Sequence, residues 1–175
     1  MSKPRMLDLC CGLGGWTDGF LAAGYYCIGV DSEPQPAYKG DELSIADIRE
    51  LVGERFQDIS AILASPPCDE FSRFRQPWLR RKGHLPAPDM SIVEACYRLR
   101  DEIQPAFFLL ENVRSAQYFL GQATIAREPY YFWGDALLIP RVMHRQKQSY
   151  GSNQKAERAK IPFDLAYSIA LSIRG

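Results

Sequence analysis

Cys68 closes the stretch Ala64-Ser-Pro-Pro-Cys, directly behind an apolar run from Ile59 to Ser65. Two consecutive prolines fix their own φ and push the residues before them away from helix. The pattern predicts a thiol on a stiff turn at the end of a buried strand, where an α/β fold places reactive groups. A thiol is partly thiolate at neutral pH and intrinsically nucleophilic, so it offers covalent catalysis. A cysteine by itself is more often a small buried apolar residue, so its surroundings decide. A carboxyl group, Glu111, follows a second apolar run, Ala106-Phe-Phe-Leu-Leu110. A glycine loop, Gly12-Leu-Gly-Gly15, and an acid, Asp31, follow two others.

These groups need elements to carry them. Arg5 to Cys11 reads as a short buried strand, and Trp16 to Ala23 as a helix with Trp16 and Phe20 on one face. Gly24 is a natural helix stop. Tyr26 to Val30 is a second strand ending at Asp31, which completes a βαβ unit. Glycine admits a ligand where a Cβ would clash, and an acid at the second strand end can accept from ribose hydroxyls. The strict G-x-G-x-x-G pattern is not met, since Gly15, Trp16 and Thr17 follow Gly14. The placement of Asp31 favours a nucleotide-type cofactor over a turn needed only for packing.

Further on, Leu43 to Ile45 reads as a weak strand and Asp47 to Leu51 as the start of a helix, with Asp47 as a second strand-end acid or an N-cap. Ser91-x-x-Glu94 predicts a capping box for a helix whose core face is Ile92, Cys96, Leu99 and Ile103, ended by Pro105. Pro129 to Trp133 and Ala136 to Ile139 read as later strands at the sheet's edge. Pro162 fits the first position of a terminal helix with Leu165, Ile169 and Ile173 inward. The whole is an α/β domain over residues 1–175, a mostly parallel sheet with helices on both faces.

With 46% hydrophobic and 24% charged residues, the 175-residue chain is globular and long enough for a proper core. Lys+Arg and Asp+Glu are both 21, so nucleic-acid binding must rest on local clusters. Two exist. Residues 66–88 carry Arg73, Arg75, Arg80, Arg81, Lys82 and His84 among Phe71, Phe74 and Trp78, a mixture suited to phosphate contact and base stacking. Residues 141–160 carry Arg141, His144, Arg145, Lys147, Lys155, Arg158 and Lys160. The five cysteines are odd in number and lack a Cys-x-x-Cys, which fits neither a disulfide framework nor a zinc site. No metal is expected, and a reduced, cytoplasmic compartment is. No stretch approaches the roughly 20 apolar residues of a membrane span, and the N-terminus has no signal-like region.

Four signatures occur in order: Asp8-Leu-Cys-Cys-Gly-Leu-Gly-Gly15 with Phe20, Val30-Asp31, Pro66-Pro-Cys-Asp-Glu-Phe-Ser72 and Glu111-Asn-Val113. Together they closely resemble the cytosine-carbon-5 DNA methyltransferases, over residues 5 to 120 and again weakly in the terminal helix. The resemblance implies a Rossmann-like S-adenosylmethionine-dependent methyltransferase fold and S-adenosylmethionine as cofactor, with S-adenosylhomocysteine as product. It also implies a cytosine flipped out of double-stranded DNA. Cofactor contacts are implied for Leu9, Cys10, Gly12, Leu13, Gly14, Gly15, Ser32 and Pro67, with Asp31 at the ribose and Asp47 and Ile48 at the adenine. Substrate contacts are implied for Ser65, Asn112, Arg73, Arg75 and Arg145. Three departures stand out. Cys10 replaces a common aromatic, Asp69 a common glutamine, and the family's paired-arginine motif is reduced to a candidate, Arg145 with Lys147 nearby. Only about 40 residues separate Glu111 from Gly151, so a separate target-recognition domain has almost no room. The chain resembles a compact, phage-type member reduced to its catalytic core, with a recognition partner or oligomer left open.

On this reading Cys68 adds to carbon 6 of cytosine, and the ring becomes an enamine that attacks a methyl sulfonium. Glu111 near ring nitrogen 3 relieves the resulting negative charge, which requires a raised pKa of the kind burial supplies. Arg145 near ring oxygen 2 favours the same charge build-up. The base that removes the proton from carbon 5 is not named by any residue; a water can serve. RNA or a free cytosine nucleotide as substrate stays open, as does an inactive nucleic-acid-binding relative. Another Rossmann enzyme, such as an oxidoreductase, leaves the Pro-Pro-Cys and Glu-Asn-Val pair unexplained.

Overall fold

The computed structural model describes residues 2–73, 87–135 and 160–174. Strands β1 (Arg5–Leu9), β2 (Tyr26–Asp31), β3 (Glu42–Ile45), β4 (Ile59–Ala64), β5 (Phe107–Asn112), β6 (Ile125–Arg127) and β7 (Tyr130–Gly134) form one sheet. Its order is β3-β2-β1-β4-β5-β7-β6. The first five strands are mutually parallel, and β7 runs antiparallel to both β5 and β6. Helices are α1 (Gly15–Ala22), α2 (Asp69–Ser72), α3 (Ser91–Ile103), α4 (Gln117–Leu120) and α5 (Phe163–Ile173).

The central strands are apolar on both faces, so they read as unbroken hydrophobic runs rather than alternating ones. Successive side chains go to opposite sides. Leu7, Ile28, Ile62, Ala64, Phe108 and Leu110 pack with Val93, Cys96 and Leu99 of α3. Met6, Cys27, Leu63, Phe107 and Leu109 pack with Trp16 and Phe20 of α1 and Leu165 and Ile169 of α5. Two cores, one on each face, therefore fix the sheet. The direction of chain progression reverses between β1 and β4, where a doubly wound sheet opens a crevice at the strands' C-terminal ends.

Helices α1 and α5 meet at unusually short range. A Cβ on Gly15 would lie 2.5 Å from the backbone nitrogen of Ile161, and one on Gly19 would lie 2.4 Å from that of Tyr167. Gly15 and Gly19 are one turn apart, so α1 presents a bare strip to the backbone of α5 and of Ile161 just before it. Helix propensity favours alanine over glycine by about 1 kcal/mol, but a backbone atom cannot rotate away from the added methyl. Gly19→Ala is thus expected to destabilise the protein by about 1–3 kcal/mol, the scale of overpacking, read as a lower midpoint of urea unfolding.

Several local expectations are corrected. Asp47 does not start a helix. Its carboxylate accepts the Arg49 N–H at 3.0 Å, which makes a tight turn, and a short 3₁₀ segment follows only at Gly53–Arg55. The capping box at Ser91 does not form: Met90 is the N-cap residue, and Asp89 accepts the Ser91 N–H at 2.9 Å. Pro162 is the N-cap of α5 rather than its first helical residue. Strand β5 extends through Glu111 and Asn112 instead of stopping at Leu110, because both pair with β7. Strand β7 lies inside the sheet, with β6 outside it. The expected strand from Ala136 to Ile139 lies outside the described residues.

Candidate active site

The crevice at the ends of β1 and β2 is built by the glycine loop. The carboxylate of Asp31 accepts the N–H of Gly12 at 2.9 Å and that of Glu33 at 3.1 Å. One acid thereby ties the loop to β2, and an ionised carboxylate still has lone pairs for further donors. Gly12 has φ +47°, and a Cβ there would meet nothing within 4 Å. The loop therefore has open space above it. Gly14 faces the ring of Tyr38 and Gly15 faces Ile161, so these two glycines serve packing. Beneath the loop, Asp8 is fully buried, and Thr17 donates to it from backbone and hydroxyl at 3.3 and 2.8 Å. Burial pushes the Asp8 carboxyl up to about 8, against its hydrogen bonds from Thr17.

A cavity of about 170 Å³ lies beside this loop. Cys10, Asp31, Ser32, Asp47, Ile48 and Pro67, all expected at a cofactor, line it. Ser65, expected at the substrate, also lines it, as do Ala46, Arg49 and Ile92, none of which the sequence placed at a ligand. Arg49 Nε donates to both carboxylate oxygens of Asp47 at 2.9 and 3.0 Å. These bonds hold the Asp47 carboxyl at about 2. Cys10 has a left-handed backbone, φ 57°. The neighbouring Cys96 thiol of α3, with burial, pushes the Cys10 pKa upward. The Leu9 side chain is fully buried in the core, so only its backbone could face a ligand. Leu13 is half-buried and is not part of this lining.

Cys68 is pinned from two sides. The Ser65 N–H donates to the Leu9 carbonyl at 3.1 Å, and the Asn112 amide donates to the Pro66 carbonyl at 3.0 Å. In the second contact the Asn112 side chain is buried, and its oxygen accepts the Val113 N–H at 2.8 Å, so it braces the cysteine turn. Burial pushes the Cys68 thiol up; a hydrogen bond with Ser72 opposes this, and the charges of Asp69 and Glu111 reinforce it. Ala64 pairs with Leu110 in register, so the residues that follow them, Ser65 and Glu111, leave adjacent strands side by side. Burial pushes the Glu111 carboxyl up to about 7, against a hydrogen bond with Ser65. A carboxyl group poised there can be a proton donor at neutral pH. A neutral Glu111 also removes one of the charges that oppose ionisation of Cys68.

Of the basic residues, Arg73 is ion-paired with Glu70, and Lys160 with Asp18 at 2.6 Å. Phe71, expected among stacking aromatics, is buried against Phe119 instead. Arg75 and Arg145, with Phe74, Trp78, Arg80, Arg81, Lys82 and His84, lie outside the described residues, as do Arg141, His144, Lys147, Lys155 and Arg158. All five cysteines are free thiols. Among the described residues no helix is long and apolar enough to cross a membrane.

A sheet of this order, open at its switch point and closed by an antiparallel β7, is the Rossmann-like fold of S-adenosylmethionine-dependent methyltransferases. Residues 4–119 match the family described as C-5 cytosine-specific DNA methylase. The chain belongs to that family. It is 30% identical over 141 residues to the Type II methyltransferase M.AgeI of Thalassovita gelatinovora, covering 70% of this chain and 30% of that one. It is also 30% identical over 119 residues to M.FnuDI of Fusobacterium nucleatum, covering 63% and 32%. The chain thus spans about a third of the length of these curated relatives. Among solved structures, S. pombe Dnmt2 methyltransferase superposes with TM-score 0.46 and 20% identity, covering 66% of this chain and 36% of that one.

Proposed function

We propose that the chain methylates carbon 5 of cytosine in duplex DNA, using S-adenosylmethionine and a covalent bond to Cys68. The observation that carries this reading is the juxtaposition of two strand ends. The Ala64–Leu110 register sets the turn that bears Cys68 beside a carboxyl that burial raises to about 7, so it can carry a proton near neutral pH. The crevice suits the cofactor: Gly12 leaves open space, Asp31 stands for the ribose, and Ser32, Asp47, Ile48 and Pro67 line the cavity beside it. When bound, S-adenosylmethionine supplies an electrophilic methyl group.

The protein's own residues do the rest. Cys68 Sγ bonds to carbon 6 of a cytosine held out of the stack. Glu111 donates to ring nitrogen 3 as negative charge reaches it, and carbon 5 becomes nucleophilic. After transfer a water takes the proton from carbon 5, Cys68 leaves as thiolate, and the proton on ring nitrogen 3 returns to Glu111, which restores the ring. The reading places this in a single domain over residues 1–175 in the cytoplasm. It assigns Arg73, Arg75 and Arg145 to the nucleic acid, so affinity falls with added salt.

Bisulfite sequencing of plasmid DNA from cells expressing the protein is expected to show unconverted cytosines in one recurring context. Purified protein is expected to label duplex DNA with radioactive methyl groups. Labelling of RNA or dCMP alone would replace the substrate, and wild-type protein with no S-adenosylmethionine binding would overturn the reading.

A further inference from the structure

The turn that follows β3 carries Asp47, Ile48 and Arg49, all of which line the cavity beside the glycine loop. Its backbone is held from α3. Arg98 donates to the carbonyls of Leu51, Ile48 and Arg49 at 2.8, 3.1 and 3.3 Å, and to the Glu102 carboxylate at 2.8 Å. The Arg49 side chain acts on a carboxylate instead. Its backbone N–H meets Asp47 Oδ1, its Nε–H is shared between Oδ1 and Oδ2, and its Nη2 meets Oδ2. A carboxylate has about four lone-pair sites, so these N–H groups fix its plane and leave room for one further donor. Nη1 reaches Ser91 Oγ at 3.4 Å, in the first turn of α3. The two side chains are 48% and 32% exposed, and ion pairs so open to solvent contribute little to stability. A complete fork at the wall of a cavity calls for another reason.

An ionised carboxylate can only accept. Adenine joined to ribose has one donor group, its 6-amino group. Hypoxanthine carries an acceptor oxygen at that position and a proton on ring nitrogen 1 instead. A carboxylate free to swing can accept from either base, whereas one held in a single direction tells them apart. We propose that Arg49 is a specificity-determining residue: by holding the Asp47 carboxylate it makes the cavity prefer a 6-aminopurine cofactor to its 6-oxo counterpart. Arg49 acts through Asp47 and is therefore a positioning residue. Without the fork, the carboxylate turns about its soft terminal torsion and its last lone pair loses direction. Arg98 holds the carbonyls of the turn whether or not the Arg49 side chain is present, so its loss alters one carboxylate and not the wall of the cavity. This inference rests on the reading of the cavity as the S-adenosylmethionine site, with Asp47 at the adenine.

Calorimetric titration of the purified protein with S-adenosylhomocysteine and with S-inosylhomocysteine, its 6-oxo counterpart, reads the preference as a ratio of Kd values. Wild-type protein is expected to favour the adenine compound about 10- to 100-fold, the worth of a hydrogen bond to a charged group. In Arg49→Ala the ratio is expected to fall about fivefold or more, through weaker binding of the adenine compound. Its melting temperature is expected to stay within about 2 °C of wild type, since an exposed pair adds little stability. Arg49→Lys keeps the charge and loses the fork, so its ratio is expected to match that of Arg49→Ala. In an Asp47→Asn background, Arg49→Ala is expected to leave the ratio unchanged, because the group through which Arg49 acts is already gone. A wild-type ratio near one, a wild-type ratio retained in Arg49→Ala or restored by lysine, or a further drop in the Asp47→Asn background would each overturn the proposal. Binding of neither compound to wild-type protein is a separate result, and it overturns the cofactor reading on which the inference stands.

Discussion

Cys68→Ala is expected to abolish methyl transfer while leaving the protein folded and able to bind S-adenosylmethionine. The turn that bears the thiol does not depend on it. Backbone contacts from Ser65 to Leu9 and from Asn112 to Pro66 hold the turn, and Phe71 anchors the helix that follows. Pro67, with Asp31 and Asp47, lines the adjoining cavity independently of the sulfur. What disappears is the only step that makes carbon 5 nucleophilic. Removing a covalent nucleophile costs at least ~10⁴-fold in turnover in comparable cases. Incorporation of radioactive methyl into duplex DNA, measured beside calorimetric binding of S-adenosylhomocysteine, separates the two properties. Full activity in the variant would rule out the covalent route.

Glu111→Gln is expected to lower turnover about 10²–10³-fold, the range of a positioned general acid. It is also expected to change the pH profile. The wild-type carboxyl group titrates at about 7, well above its ordinary 4.5. Its protonated fraction therefore falls as pH rises through 7, and turnover falls with it. Glutamine does not titrate, so this alkaline limb disappears in the variant. Stability follows the same linkage. Between pH 4.5 and 7 the unfolded chain ionises Glu111 while the folded chain keeps it protonated, so stability is lost as pH rises across that window. The variant lacks this loss, and its melting temperature is expected to depend less on pH there. An unchanged alkaline limb would remove Glu111 from the donor role.

The parts legible in the sequence were those written in local pattern. Strands buried on both faces leave continuous apolar runs, so β1, β2, β4 and β5 were readable to within a residue or two. Cys68 and Glu111 stand at the ends of two such runs, which is what singles them out in the sequence. What was not readable depends on partners distant in the chain. Gly15 and Gly19 look like loop and helix glycines until α5 is placed against them. Nothing local to Asn112 signals that its amide donates to the Pro66 carbonyl. Arg49 follows an acid without signalling that it folds back on Asp47 and edges the cavity. Trp16 has the spacing of a core residue, and it is one; that its N–H also meets Ser65 requires the sheet order that brings β1 beside β4.

The bare strip on α1 has a consequence for synthesis on the ribosome. Gly15 and Gly19 have their packing partners at Ile161, Ala166 and Tyr167, near the other end of the sequence. The first βαβ unit therefore emerges from the exit tunnel with one flank of its helix uncovered. It stays so until α5 has been translated. Contacts this far apart along a chain form slowly and leave apolar surface open to aggregation meanwhile. Nascent chains halted after β7 would thus need chaperone protection that the finished protein does not.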